Sequence, residues 1–292
     1  MVGSVERIER DLAVMDEAIA ALAQEFHAAY SNYLNGLGQA VRQQLVLASF
    51  HVCTQGYPEQ FLNLSYNQRQ QLQKMLRTLA HQTQEELLAQ LHIPVVTESP
   101  EAVDLFDEIN ELEAGEAIAS LATFETSPLK SEKNPQRLTP IHLAQWQQDL
   151  ERAIAQELQT ASHAANRLLQ QAGVLPRKLP EPLLEAASRA DAADIGGSTP
   201  NLMNLLVEAA GETPTEKDRS DESRKQSIMH IVAINLRLPE IEFANASLTA
   251  ARSQIRTLLS RLKTLGRDYQ KKQRERAIAE AQDAWRASWT ED

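Results

Sequence analysis

The chain has 292 residues, is 42% hydrophobic but only 5% aromatic, and carries a formal net charge of −11. Its 10 Gly and 12 Pro lie well below average usage, and strand-forming residues are sparse beside Ala and Gln. This composition argues against β-sandwiches, barrels and most α/β enzymes, and a global excess of acid disfavours general nucleic-acid binding.

The expected fold is all-α: long amphipathic helices in an elongated bundle or coiled coil, with an acidic connector and a Pro/Gly-rich linker. Residues 1–93 form the N-terminal helical segment. Val5, Ile8, Leu12, Met15, Ile19, Leu22, Phe26, Ala29 and Tyr33 follow an unbroken 3,4 spacing, which gives four heptads with one apolar seam. Gly36 and Gly38 are expected to punctuate that helix. A second helix is expected over 39–54, apolar nearly all round and therefore the most buried element. Gly56, Tyr57 and Pro58 make a turn, and Ser65 reads as the N-cap of a third helix ending before Pro94.

Residues 94–139 change character. Four prolines mark the stretch, and between Thr97 and Lys133 ten acidic residues face Lys130 and Lys133. Val103, Phe106, Ile109 and Leu112 keep helical spacing, so this is an acidic connector with a short amphipathic helix inside it. A helix over 140–173 then starts with Thr139 as N-cap and Pro140 at the first helical position, and Gly173 closes it. Residues 174–226 read as a flexible linker with two apolar islands, 183–190 and 201–208, and a charged run over 216–225. The last segment, 227–292, is a long helix. Ile228, Ile231 and Ile234 lead into it, and Ile241, Ala244, Leu248, Ala251, Ile255, Leu258, Leu262, Leu265 and Tyr269 form its seam.

No specific reactive constellation is present. The phosphate loop, the dinucleotide fingerprint, the nucleophile elbow, Cys-x-x-Cys, His-Glu-x-x-His and Glu-x-x-His are all missing from the sequence. No catalytic residue, metal ligand or cofactor is therefore expected, and the chain is read as non-enzymatic. His81 and Glu85, at i,i+4, read as a weak surface pair. His163 and His230 read as boundary residues. Asp104, Asp107, Glu108 and Glu111 read as a solvated acidic face. Cys53 is the only cysteine and reads as a buried, inert thiol; its being alone suits a reducing, cytoplasmic setting. The start of the chain has no apolar leader, and membrane contact is expected to be peripheral at most.

The most informative feature is local charge. Between Ala250 and Arg276 nine basic residues face only Asp268 and Glu275. Arg256, Lys263, Arg267, Lys271 and Arg274 are spaced to lie opposite the apolar seam. With Trp285 and Trp289, which could anchor at a partner surface or fold back on the bundle, they are the candidate interaction residues. The expected function is a helical scaffold or adaptor acting through protein–protein contacts, with an acidic protein or a second copy of the chain as partner. The alternative is a peripheral binder of an anionic surface through the basic helix, whether acidic protein, nucleic acid or anionic lipid.

Two runs also carry a resemblance. Residues 265–289, with Gly266, Tyr269, Lys271-Lys272, Trp285 and Trp289, and residues 57–70, opening on Tyr57-Pro58, resemble a family of helical proteins of cyanobacteria. The resemblance implies a bacterial cytoplasm and a link to cyanobacterial physiology; no activity or site comes with it.

Overall fold

The structure, a computed structural model, describes residues 2–92, 138–176, 200–209 and 227–289. The acidic connector helix with Asp104, Asp107, Glu108 and Glu111, the island at 183–190 and the charged run at 216–225 lie outside these residues.

The protein is all-α. Among the described residues there are six α-helices: α1 (Val2–His51), α2 (Pro58–Leu62), α3 (Tyr66–Ala89), α4 (Pro140–Gln171), α5 (Leu238–Phe243) and α6 (Ala246–Ser288). A π-helical turn, Val52–Gly56, follows α1, and one two-stranded sheet is present, β1 (Leu202–Ala209) with β2 (Ser227–Ile234).

The caps read from the sequence are in place. Ser65 accepts a hydrogen bond from the Gln68 amide while Gln68 reaches back to the Ser65 amide, a capping box that starts α3. Thr139 Oγ1 accepts from the His142 amide at 3.3 Å and starts α4. Gly173 follows α4 with φ +81°, the left-handed geometry that glycine adopts without steric cost.

Three expectations are corrected. First, Gly36 and Gly38 do not break α1, which is continuous from Val2 to His51. A Cβ at Gly38 would stand 2.8 Å from Gln84 Cγ on α3, and one at Gly36 would stand 3.0 Å from Leu248 on α6. The glycines let neighbouring helices approach closely, and that packing offsets a propensity cost of about 1 kcal/mol each. Second, 39–54 is not buried all round: Val46, Leu47 and Phe50 are exposed, while Val41, Leu45 and Val52 face the core. Third, 201–208 and 228–234 pair as antiparallel strands, with Leu202 opposite Ile234 and Ala209 opposite Ser227. The i,i+3 isoleucines fit a helix, but Ile and Val favour the pleated surface, and the pairing decides between them.

The chain divides into two compact units. One consists of Met1–Ala29, His92–Leu150 and Gln254–Asp292. Leu12, Ile19, Leu22 and Phe26 of α1, Leu143 of α4, and Ile255, Leu258 and Leu262 of α6 are its buried residues of note. The Phe26 and Trp146 rings meet edge to face at 6.5 Å, and the Trp146 indole N–H donates to the His92 carbonyl at 2.8 Å.

The other unit consists of Tyr30–Leu91 and Glu151–Ser253. Here the sheet is stitched to helices by buried polar side chains. Asn166 on α4 both donates to the Ile234 carbonyl at 2.8 Å and accepts from the Ile234 amide at 2.9 Å. Ser162 accepts from the Leu236 amide, and the Tyr57 hydroxyl accepts from the Val232 amide. These bonds satisfy backbone groups of β2 and the residues just after it, which among the described residues no third strand covers.

The seam gives the first prediction. Leu258 is buried and Arg267 is exposed. Leu258→Glu would bury an unpaired charge at a cost of several kcal/mol, about 3 or more. Its urea midpoint should fall sharply, whereas Arg267→Ala should stay within about 0.5 kcal/mol of wild type. Equal loss from both would mean that the seam is misassigned.

Candidate interaction face

Helix α6 carries nine cations between Ala250 and Arg276, and the structure sorts them into two groups. One group, of which only Arg252 is largely shielded from solvent, is paired with carboxylates of the chain. Arg252 bonds the Glu151 carboxylate of α4 at 2.5 Å and the Glu242 carboxylate of α5 at 2.7 Å, and donates to the Tyr33 hydroxyl of α1 at 2.7 Å. Its guanidinium also lies 4.5 Å from the Tyr33 ring centroid. Tyr30 donates to the same Glu151 carboxylate, and Tyr33 to Glu242. Burial raises the Tyr33 phenol well above its ordinary pKa, although the Arg252 charge opposes this. Arg261 pairs with Glu25, Lys272 with Asp11 and Glu275, and Arg276 with Glu280.

The outward group is the one read from the sequence. Arg256, Lys263, Arg267, Lys271 and Arg274 are all exposed. Among the described residues none of the five has an ion pair or hydrogen-bond partner. At 100° per residue they span an arc of about 80°, and the helical rise from Arg256 to Arg274 covers about 27 Å. Ile255, Leu258 and Leu262, all buried, lie on the opposite side.

Trp285 and Trp289 do not fold back: they are 66% and 67% exposed, with ring centroids 5.8 Å apart. A second apolar patch, which sequence reasoning missed, lies in the other unit, where the exposed Val46, Leu47 and Phe50 of α1 and Phe243 of α5 show their side chains. Its only signal was the all-round apolarity of 39–54, which has more hydrophobic residues than one helix face can bury.

The remaining candidates stand as follows. His81 and Glu85 form an exposed pair at 3.4 Å. Cys53 is buried, and burial pushes its thiol up to about 11. Among the described residues no cluster of three metal-ligating side chains occurs, and no helix is long and apolar enough to cross a membrane. No protein-family model, curated protein or solved structure matches the chain, and the likeness to cyanobacterial helical proteins stays an expectation of the sequence.

One half-buried acid is at odds with its surroundings. Burial, with the hydrogen bond and charge of Glu86, pushes the Glu157 carboxyl up from 4.5 to about 7. The folded state therefore holds this proton more tightly than the unfolded chain. Its contribution favours folding below the unfolded value and is lost as pH rises toward 7. Urea midpoints of wild type and Glu157→Gln, compared at pH 5 and pH 8, should show the variant losing less stability over that interval. Parallel pH profiles would show that Glu157 does not titrate in this window.

Proposed function

We propose that the protein is a non-enzymatic helical adaptor that acts through protein–protein contacts, with an acidic partner lying along the outward face of α6. The observation that carries this reading is the sorting of cations on one helix. Four are consumed by carboxylates of the chain itself, and five on one arc have no such partner among the described residues. A row of like charges 27 Å long repels itself, and an acidic protein surface relieves that repulsion while steering the encounter. Nucleic acid fits less well, since the chain as a whole is at −11 and would repel a long polyanion. A cytoplasmic setting accords with the single buried cysteine.

The reading is tested with a 20-residue Glu-rich helical peptide and fluorescence anisotropy. Wild type should bind it, and binding should weaken as salt rises past about 0.15 M, where the Debye length is about 8 Å. Changing Arg256, Lys263, Arg267, Lys271 and Arg274 to Glu should abolish binding and leave helical content unchanged. Unaltered binding by that variant, or tighter salt-sensitive binding of single-stranded RNA or duplex DNA by the wild type, would overturn it.

A further inference from the structure

The outward face of α6 does not end at Arg274. Counting along the helix, Lys263, Arg267, Lys271, Arg274, Ile278, Ala281 and Trp285, with Trp289 one residue past its end, succeed one another in steps of three or four residues. They therefore occupy one continuous stripe. The stripe is cationic through Arg274 and apolar from Ile278 onward. Ile278 is 50% exposed, and with the two tryptophans it makes an uncovered apolar patch that also includes Ala281. Beyond Gly266 no residue of α6 is buried.

Two physical facts bear on what this stripe meets. A helical stretch without tertiary cover is marginal in water, and among the described residues the end of α6 is held by side-chain pairs such as Arg276–Glu280 and Arg286–Asp283. Paired exposed tryptophans are costly to leave wet and are typical anchors of interfaces. A membrane surface would call for a different pattern. A helix lying in a bilayer interface carries its apolar stripe along its length with cations at the flanks. Here the cations and the apolar residues follow one another along the same stripe.

We infer that α6 binds an acidic amphipathic protein helix in two parts, its carboxylates along Arg256–Arg274 and an apolar end over Ile278, Trp285 and Trp289. This rests on the proposed acidic partner and adds to it a second, salt-independent contact. The charged part sets the rate and register of encounter, and the apolar part sets how slowly the partner leaves.

The test uses two synthetic helices of equal length and charge, one Glu-rich throughout and one whose last two turns carry Leu and Phe. The second should bind wild type about tenfold more tightly, which corresponds to about 1.4 kcal/mol. Its binding should shift tryptophan emission to shorter wavelength. Trp285→Ser with Trp289→Ser should erase both the tenfold gain and the shift, while binding of the all-Glu helix stays unchanged. Equal affinity for the two helices, or a full gain in the double variant, would overturn the two-part contact yet leave the charged contact standing. Loss of the all-Glu helix from wild type would instead remove the reading beneath it. Vesicles of phosphatidylcholine with 30% phosphatidylserine should not shift the emission; a shift as large as with the apolar-ended helix would assign the stripe to a membrane.

Discussion

A helix crowded with cations can pack only where each inward cation is neutralised, because a desolvated charge costs more than any apolar neighbour returns. In the unit that holds Arg252 the neutralisation is complete: carboxylates from α4 and α5 and a phenol from α1 converge on one guanidinium. Tyr30 and Tyr33 in turn satisfy the carboxylates, so the cluster leaves few polar atoms without partners. Three other helices are thereby tied to α6 at one point. In the other unit the buried residues Ile255, Leu258 and Leu262 orient α6, and Arg261 and Lys272 meet Glu25 and Asp11 of α1 at its flanks. Such exposed pairs add little stability, so orientation there rests on the seam.

Once α6 is oriented, the remaining cations have nowhere to go but outward. The same desolvation rule that pairs Arg252 leaves Arg256, Lys263, Arg267, Lys271 and Arg274 in solvent. The proposed function follows from that division. A cation the fold needs is unavailable to a partner, and a cation the fold does not need can be given to one. The tryptophans continue the logic at the end of the helix, where large apolar side chains stand in water without serving the core.

Much of this was legible in the sequence. The 3,4 spacing from Val5 to Tyr33 and from Leu248 to Tyr269 marks the buried sides of α1 and α6, and Ser65, Thr139 and Gly173 mark helix ends, because these signals are local. What was not legible depends on contacts distant in sequence. Gly36 and Gly38 look like breaks until α3 and α6 are seen to need the space. Ile228, Ile231 and Ile234 recur at a helical spacing, and only pairing with β1 some 25 residues earlier settles the strand. Arg252 reads as one more basic residue of the run, although it lies beside Ala251 on the edge of the seam. Its partners at 33, 151 and 242 could not be named from spacing alone.

Whether desolvation pairs Arg252 and leaves the outward cations of α6 in solvent is tested most directly by a double-mutant cycle. Arg252→Met and Glu242→Gln, singly and together, would be unfolded in urea, with Arg256→Met crossed against Glu242→Gln as the outward comparison. Arg252→Met alone should be destabilising by about 3 kcal/mol, the Arg252 cycle should show a coupling above about 1.5 kcal/mol, and the Arg256 cycle should be additive. Additivity within about 0.5 kcal/mol for Arg252 and Glu242 would contradict this sorting by desolvation.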